Sequence, residues 1–235
     1  MESSGLGFWT MPRTARAALG GVMYHVLNRG NGRMRLFHKP GDYLAFTHLL
    51  VAAKERAAVE VFAFCLMPNH WHLLLRPKED GDLAAYMSWV TNTHVKRYRV
   101  HYPSTSGHLY QGRYKSFAVQ ETGYFVTLSR YIEANPLRAR LVPKAEAWPW
   151  SSLGCQEQLR RGLLSPWPVA RPAHWWALVN EPVLAAQRAG VAESLKRGSP
   201  LGDGEWMKRM AEKLGVEYTL RPRGRPRKAA AEGPV

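Results

Sequence analysis

Alternating apolar and polar positions mark the strands of this chain, and a recurrence every three to four positions marks its helices. Tyr24 to Arg29 reads as a first strand, closed by the turn Gly30-Asn31-Gly32. From Asp42 to Ala58 the apolar residues Leu44, Phe46, Leu49, Leu50 and Ala53 recur at helical spacing. Val59 to Leu66 and His70 to Arg76 are two strands separated only by Met67-Pro68-Asn69, which predicts antiparallel pairing. A second helix, Asp82 to about His101, carries Leu83, Tyr86, Met87, Val90 and His94 on one side. Leu109 to Val119 reads as another strand. Thr122 then caps a third helix that runs to Asn135, where Pro136 stops it. The order β-α-β-β-α-β-α predicts an α+β fold: a ferredoxin-like antiparallel sheet with helices on one face.

Past about Pro143 the pattern changes. Ala147 to Ser152 and Trp167 to Trp176 are rich in Trp and Pro, and short helices are expected at about Pro182 to Lys196 and Asp203 to Leu214. The expected organisation is a first domain over residues 1–145, a Trp/Pro-rich and then helical C-terminal region over 146–220, and a basic flexible tail over 221–235. In that tail Arg223-Gly224-Arg225-Pro226 is the core of an AT-hook, narrow enough to enter an A·T-rich minor groove. The alternative is a basic tail with non-specific affinity.

Composition narrows the partners. The chain of 235 residues has 33 Lys and Arg against 18 Asp and Glu, a net charge of +15, which calls for a polyanion. No run of apolar residues is long enough to span a bilayer, so nucleic acid is favoured over membrane. Cys65 and Cys155 do not form a disulfide framework, and Met1 to Thr10 lacks the features of a signal peptide. The expected setting is cytoplasmic, associated with the nucleoid.

The chemistry-bearing string is His70-Trp71-His72. On a strand the two imidazoles leave one face and the indole the other, which is how a sheet presents a metal. Read alone, it is more readily two polar residues at a strand end. Tyr131 and Asn135, one turn apart on the third helix, offer a phenol that can attack phosphorus and a carboxamide oxygen that can bind a hard cation.

The strings MPNHWHLLLRP, YQGRYKSF, RYIEANPLRARLV and WPWSS, in this order, resemble the REP-associated tyrosine transposases. These belong to the single-tyrosine HUH nucleases, of the IS200-like type. The resemblance runs from about Tyr24 to Ser152. It implies the HUH nuclease fold, His70, His72 and Asn135 as metal ligands, and Tyr131 as nucleophile. Tyr124 and Tyr114 are weaker tyrosine candidates. The implied activity is metal-dependent cleavage and strand transfer of single-stranded DNA through a 5′-phosphotyrosine, on hairpin (palindromic repeat) DNA in transposition. Imidazole ligands by themselves favour zinc, whereas the resemblance implies Mg²⁺ or Mn²⁺.

Single-stranded DNA asks for basic residues interleaved with aromatics. The candidates are Arg29, Arg33, Arg35, Arg76, Lys78, Lys96, Arg97, Arg99, Arg113 and Lys115, with Arg223 and Arg225 in the tail. Trp148 and Trp150 read as closing a core edge. The alternative functions are a DNA-binding protein of the same fold without cleavage activity and a phosphodiesterase that uses water. The chain is expected to work as a monomer or homodimer.

Overall fold

The computed structural model describes residues 18–103, 107–121 and 123–221. Four strands, β1 (Met23–Arg29), β2 (Val59–Met67), β3 (His70–Pro77) and β4 (Lys115–Val119), form one sheet in the order β2-β3-β1-β4. All neighbours are antiparallel. Pro68 and Asn69 alone join β2 to β3, so Met67 pairs with His70 and the register is fixed from the turn outward.

That register sorts the side chains. Tyr24, Val26, Trp71, Leu73 and Leu75 enter one buried cluster with α1 (Pro40–Ala53) and α2 (Asp82–His101). Met23, Cys65, Met67, Leu74 and Phe117 enter another with α3 (Gly123–Glu133), which contributes Phe125, Leu128 and Ile132. A bulge between Val61 and Ala63 puts Phe62 and Ala63 side by side on this second face. Helices therefore cover both faces of the sheet. The expected α+β class and antiparallel sheet are present, and the expected single covered face is corrected. The cause is that β2 and β3 carry near-continuous apolar runs, and a strand with no polar face must be buried on both sides.

Two further elements differ from the sequence pattern. The strand expected from Leu109 is confined to Lys115–Val119, with Tyr110 making only an isolated bridge to Gly30. The third helix does not end at Pro136. After Ala134 the path continues as α4 (Asn135–Arg138), with Pro136 in its first turn, where a missing N–H breaks nothing. Thr122, the expected cap, lies outside the described residues, as do Arg223 and Arg225.

The region after 145 is hydrogen-bonded to both sheet edges. Trp150 to Ser152 runs along β2: Leu66 N donates to the Trp150 carbonyl at 2.8 Å and Ser152 N to the Phe64 carbonyl at 2.9 Å. Trp148 Nε1 donates to the Leu66 carbonyl, and Trp150 stacks on Tyr43. On the far edge Leu201 N donates to the Ala118 carbonyl at 2.8 Å. Both open edges are thus blunted. The helices of this region are α5 (Glu157–Leu163), α6 (Trp175–Asn180), α7 (Ala185–Arg197) and α8 (Gly204–Leu214). Helix α6 packs behind α3 through Trp175 and Val179, and α7 lies on the α3 face through Val191 and Leu195. No helix among the described residues is long and apolar enough to cross a membrane.

Candidate active site

Cross-strand pairing builds the floor of the site. On the α3 face Arg29 lies directly opposite His70, Leu27 opposite His72, and Lys115 on the other side of Leu27. Helix α3 is laid across this floor by its buried stripe of Phe125, Leu128 and Ile132. Glu133 anchors its end: the buried carboxylate accepts from Ser152 Oγ and Trp175 Nε1, each at 2.6 Å. Arg130 donates to the carbonyls of Glu181 and Pro182.

The result is a cleft of about 630 Å³. His70, His72, Tyr131 and Asn135 all line it, with Arg29, Arg113 and Lys115 at its walls. The ring of Tyr131 stands 6.3 Å from that of His72, and the two histidine rings are 5.0 Å apart. The tyrosine, both histidines and the asparagine expected from sequence are therefore brought together. Tyr124 instead packs into the α3-side core, and Tyr114 packs on the opposite face.

Each histidine has one ring nitrogen engaged and one left over. His70 Nδ1 lies 2.7 Å from Asn69 Oδ1, while the Asn69 amide donates to the Arg33 carbonyl, which orients it. His72 Nδ1 lies 2.9 Å from His25 Nε2. Burial, then the charges of Arg29 and Arg138, hold His70 down to about pKa 4. Burial, followed by the neighbouring His25, His70, Arg138 and Arg29, holds His72 well below the usual histidine range. Both rings are thus neutral at pH 7, the protonation state a cation requires of its ligands.

Asn135 donates its amide to the carbonyls of Tyr131 and Ile132, which turns Oδ1 outward. There Oδ1 accepts from Arg138 Nη2 at 2.7 Å. Arg138 also donates to the Tyr131 carbonyl at 2.8 Å and lies 4.0 Å over the Tyr131 ring. The extra turn past Pro136 brings Arg138 onto the same side as Tyr131 and Asn135.

Among the described residues no three His, Cys, Asp or Glu side chains are placed to hold a metal by themselves. Two neutral imidazoles and an amide oxygen with a second lone pair make an open donor set. It fits a divalent ion whose remaining ligands come from substrate, and no carboxylate is among the described residues that line the cleft.

The other basic candidates are distributed differently. Arg76 is bound to Glu60 and Glu121, both at 2.7 Å, outside the cleft. Lys96, Arg97 and Arg99 are exposed on α2, on the opposite face of the sheet. Arg33 and Arg35 are exposed in the loop after β1, and Lys78 is exposed just past β3. Sequence reading did not single out His25, Asn69, Gln111, Arg138 or the α7 residues Leu195 and Lys196, which all line or brace the cleft.

Residues 18–135 match the family described as "Transposase IS200 like". The chain belongs to this IS200-like transposase family. That membership makes it an enzyme of the tyrosine transposase class. The REP-associated tyrosine transposase of Escherichia coli (strain K12) is 24% identical over 145 residues, 61% of this chain and 82% of the relative. A solved structure described as the REP-associated tyrosine transposase bound to a REP hairpin superposes with a TM-score of 0.50 at 21% identity. The superposition covers 74% of this chain and 98% of that one. The IS200-like fold is thus shared, and the family match covers the whole cleft lining except the wall that α7 supplies through Ala192, Leu195 and Lys196.

Proposed function

We propose that this transposase cleaves and rejoins single-stranded DNA at the cleft, with Tyr131 as nucleophile and His70, His72 and Asn135 as ligands of Mg²⁺ or Mn²⁺. The observation that carries this reading is the meeting of these four side chains with Arg29, Arg113 and Lys115 in one cleft. Hairpin DNA is the proposed substrate, since a relative of this fold was solved on a REP hairpin.

Arg29, Arg113 and Lys115 hold the phosphate backbone, and the exposed faces of the cleft admit a single strand. A divalent ion, when bound, neutralises the non-bridging oxygens and orients the phosphate. The Tyr131 oxygen attacks phosphorus, a Tyr–O–P bond to the 5′ side forms, and the P–O3′ bond breaks. The phenol proton is balanced by the one taken up by the departing 3′-oxygen. Arg138 holds the ring from above and supplies positive charge beside the developing phenolate. The reverse attack by another 3′-hydroxyl reseals the strand, so no nucleotide cofactor is consumed. Arg223 and Arg225, outside the described residues, are proposed to add salt-sensitive affinity and no catalysis.

The test is to incubate the protein with Mg²⁺ and a single-stranded hairpin oligonucleotide bearing a 5′ flank. A covalent protein–DNA band is expected with the unaltered chain and none with Tyr131→Phe. Cutting without any adduct would favour hydrolysis by water; binding without cutting would favour a DNA-binding protein that lacks cleavage.

A further inference from the structure

His25 is fully buried in β1 on the same face as His70 and His72, and the proposed chemistry does not use it. Its Nε2 lies 2.9 Å from His72 Nδ1, and the two ring planes are within 10° of each other. The ring centroids are 5.1 Å apart. At that nitrogen–nitrogen distance, such a separation means rings lying edge to edge in one plane, not face on face. One N–H therefore points along the line to the other ring's lone pair.

Two neutral imidazoles joined in this way share one proton, and it has two possible seats. If His72 carries it on Nδ1 and donates to His25, His72 Nε2 keeps its lone pair. If His25 donates instead, neutral His72 must carry its own proton on Nε2, and no lone pair is left for a cation. The choice decides whether His72 can be a ligand at all.

The surroundings favour the first arrangement. His72 feels the positive charges of Arg138 and Arg29, which attract a lone pair and repel an N–H. His25 Nδ1 has no hydrogen-bond partner among the described residues, so no donor to Nδ1 forces the His25 proton onto Nε2.

We propose that His25 is a positioning residue: it accepts the His72 Nδ1 proton and so fixes His72 with its Nε2 lone pair available in the cleft. It does so as a neutral group, leaving the charge of a bound ion undiminished, as a carboxylate in its place would not. The proposal rests on the reading of His72 as a metal ligand.

The experiment compares the unaltered chain with His25→Gln, whose amide oxygen can still accept, with His25→Phe, which cannot, and with His72→Ala. Two quantities are read: the His72 tautomer from imidazole ¹⁵N shifts in the metal-free protein, and Mn²⁺ uptake from the electron paramagnetic resonance of the free ion. The expected tautomer is Nδ1–H in the unaltered chain and in His25→Gln. Mn²⁺ affinity should fall about 10–100-fold in His25→Phe and return to within a few-fold in His25→Gln. An Nε2–H tautomer in the unaltered chain, or His25→Phe binding Mn²⁺ as well as the unaltered chain does, overturns the proposal. If the unaltered chain takes up no more Mn²⁺ than His72→Ala, the ligand reading fails by itself. The tautomer then decides the role of His25. Should His25→Phe not fold, the tautomer of the unaltered chain and of His25→Gln still decides it.

Discussion

Trp71 and His72 are neighbours on one strand and serve opposite halves of the molecule. On the Trp71 side the polar atoms close on one another. Trp71 Nε1 donates to Tyr110 Oη at 3.1 Å, and His94 Nδ1 lies 2.6 Å from the same oxygen. His94 is buried among Phe37, Phe46 and Tyr98, and the pocket beside it holds only about 30 Å³. On the His72 side the same residue type is also buried and also hydrogen-bonded, but each ligand-type imidazole keeps one nitrogen over, and the leftover nitrogens meet in a cleft. A buried histidine is thus structural when its hydrogen bond and ring contacts are all with core partners, and chemical when it lines a cleft together with a nucleophile.

The difference is broken most severely from the closed side. Trp71→Ala should cost about 3–5 kcal/mol of folding stability, read as a fall in the urea midpoint. His70→Ala, at the rim, should cost about 1 kcal/mol or less and yet abolish the covalent adduct. If both variants lost stability alike, the two faces would not differ as described.

Glu133 tests whether α3 is held over the open face from behind. Burial raises its carboxyl, against the opposing pull of its bonds to Ser152 and Trp175. Glu133→Ala leaves Trp175 Nε1 without its acceptor and Ser152 Oγ with only the Phe64 carbonyl, and should cost about 1–3 kcal/mol, with adduct formation reduced and not abolished. Calorimetric melting alongside the adduct assay checks both parts.

Both faces should respond to acid. His94 and His70 are lowered to about 4 and His25 to about 3, in each case mainly by burial. The unfolded chain takes up protons on these rings below about pH 6.5, whereas the folded chain refuses them until about pH 4. Stability should therefore fall as pH drops across that window, by about 1.4 kcal/mol per pH unit for each such ring. Replacing His94 with Gln should flatten the dependence; an unchanged slope would remove His94 from this role.

The smallest effects separate the basic residues. Arg113→Ala should lower the slope of DNA affinity against salt by about 1. Arg76→Ala should leave that slope unchanged and cost about 1 kcal/mol or less, since its ion pairs are partly exposed.

What the sequence made legible follows from the range of each signal. Strand alternation is local, so the strands, the His70-Trp71-His72 facing and the Tyr131–Asn135 turn could all be read. The second covered face was also written locally, in the run Phe62 to Met67 with no polar alternation, but an expectation of one-sided burial passed over it. Arg138 was hidden behind Pro136, because a proline that ends a helix and one that opens another turn look alike in sequence. His25 could not be read at all: its contact with His72 exists only because β1 lies beside β3, a pairing fixed by the whole sheet. The Arg76–Glu121 ion pair is of the same non-local kind, while the Arg76–Glu60 pair belongs to the β2–β3 hairpin and is obscured in sequence by the bulge between Val61 and Ala63.

The central claim is that the open face places Tyr131, and no other tyrosine, at the phosphate. Digesting the covalent protein–DNA adduct and locating the nucleotide-bearing residue by mass spectrometry tests it most directly. The modification is expected on the peptide containing Tyr131. Its appearance on Tyr124 or Tyr114 would contradict the assignment.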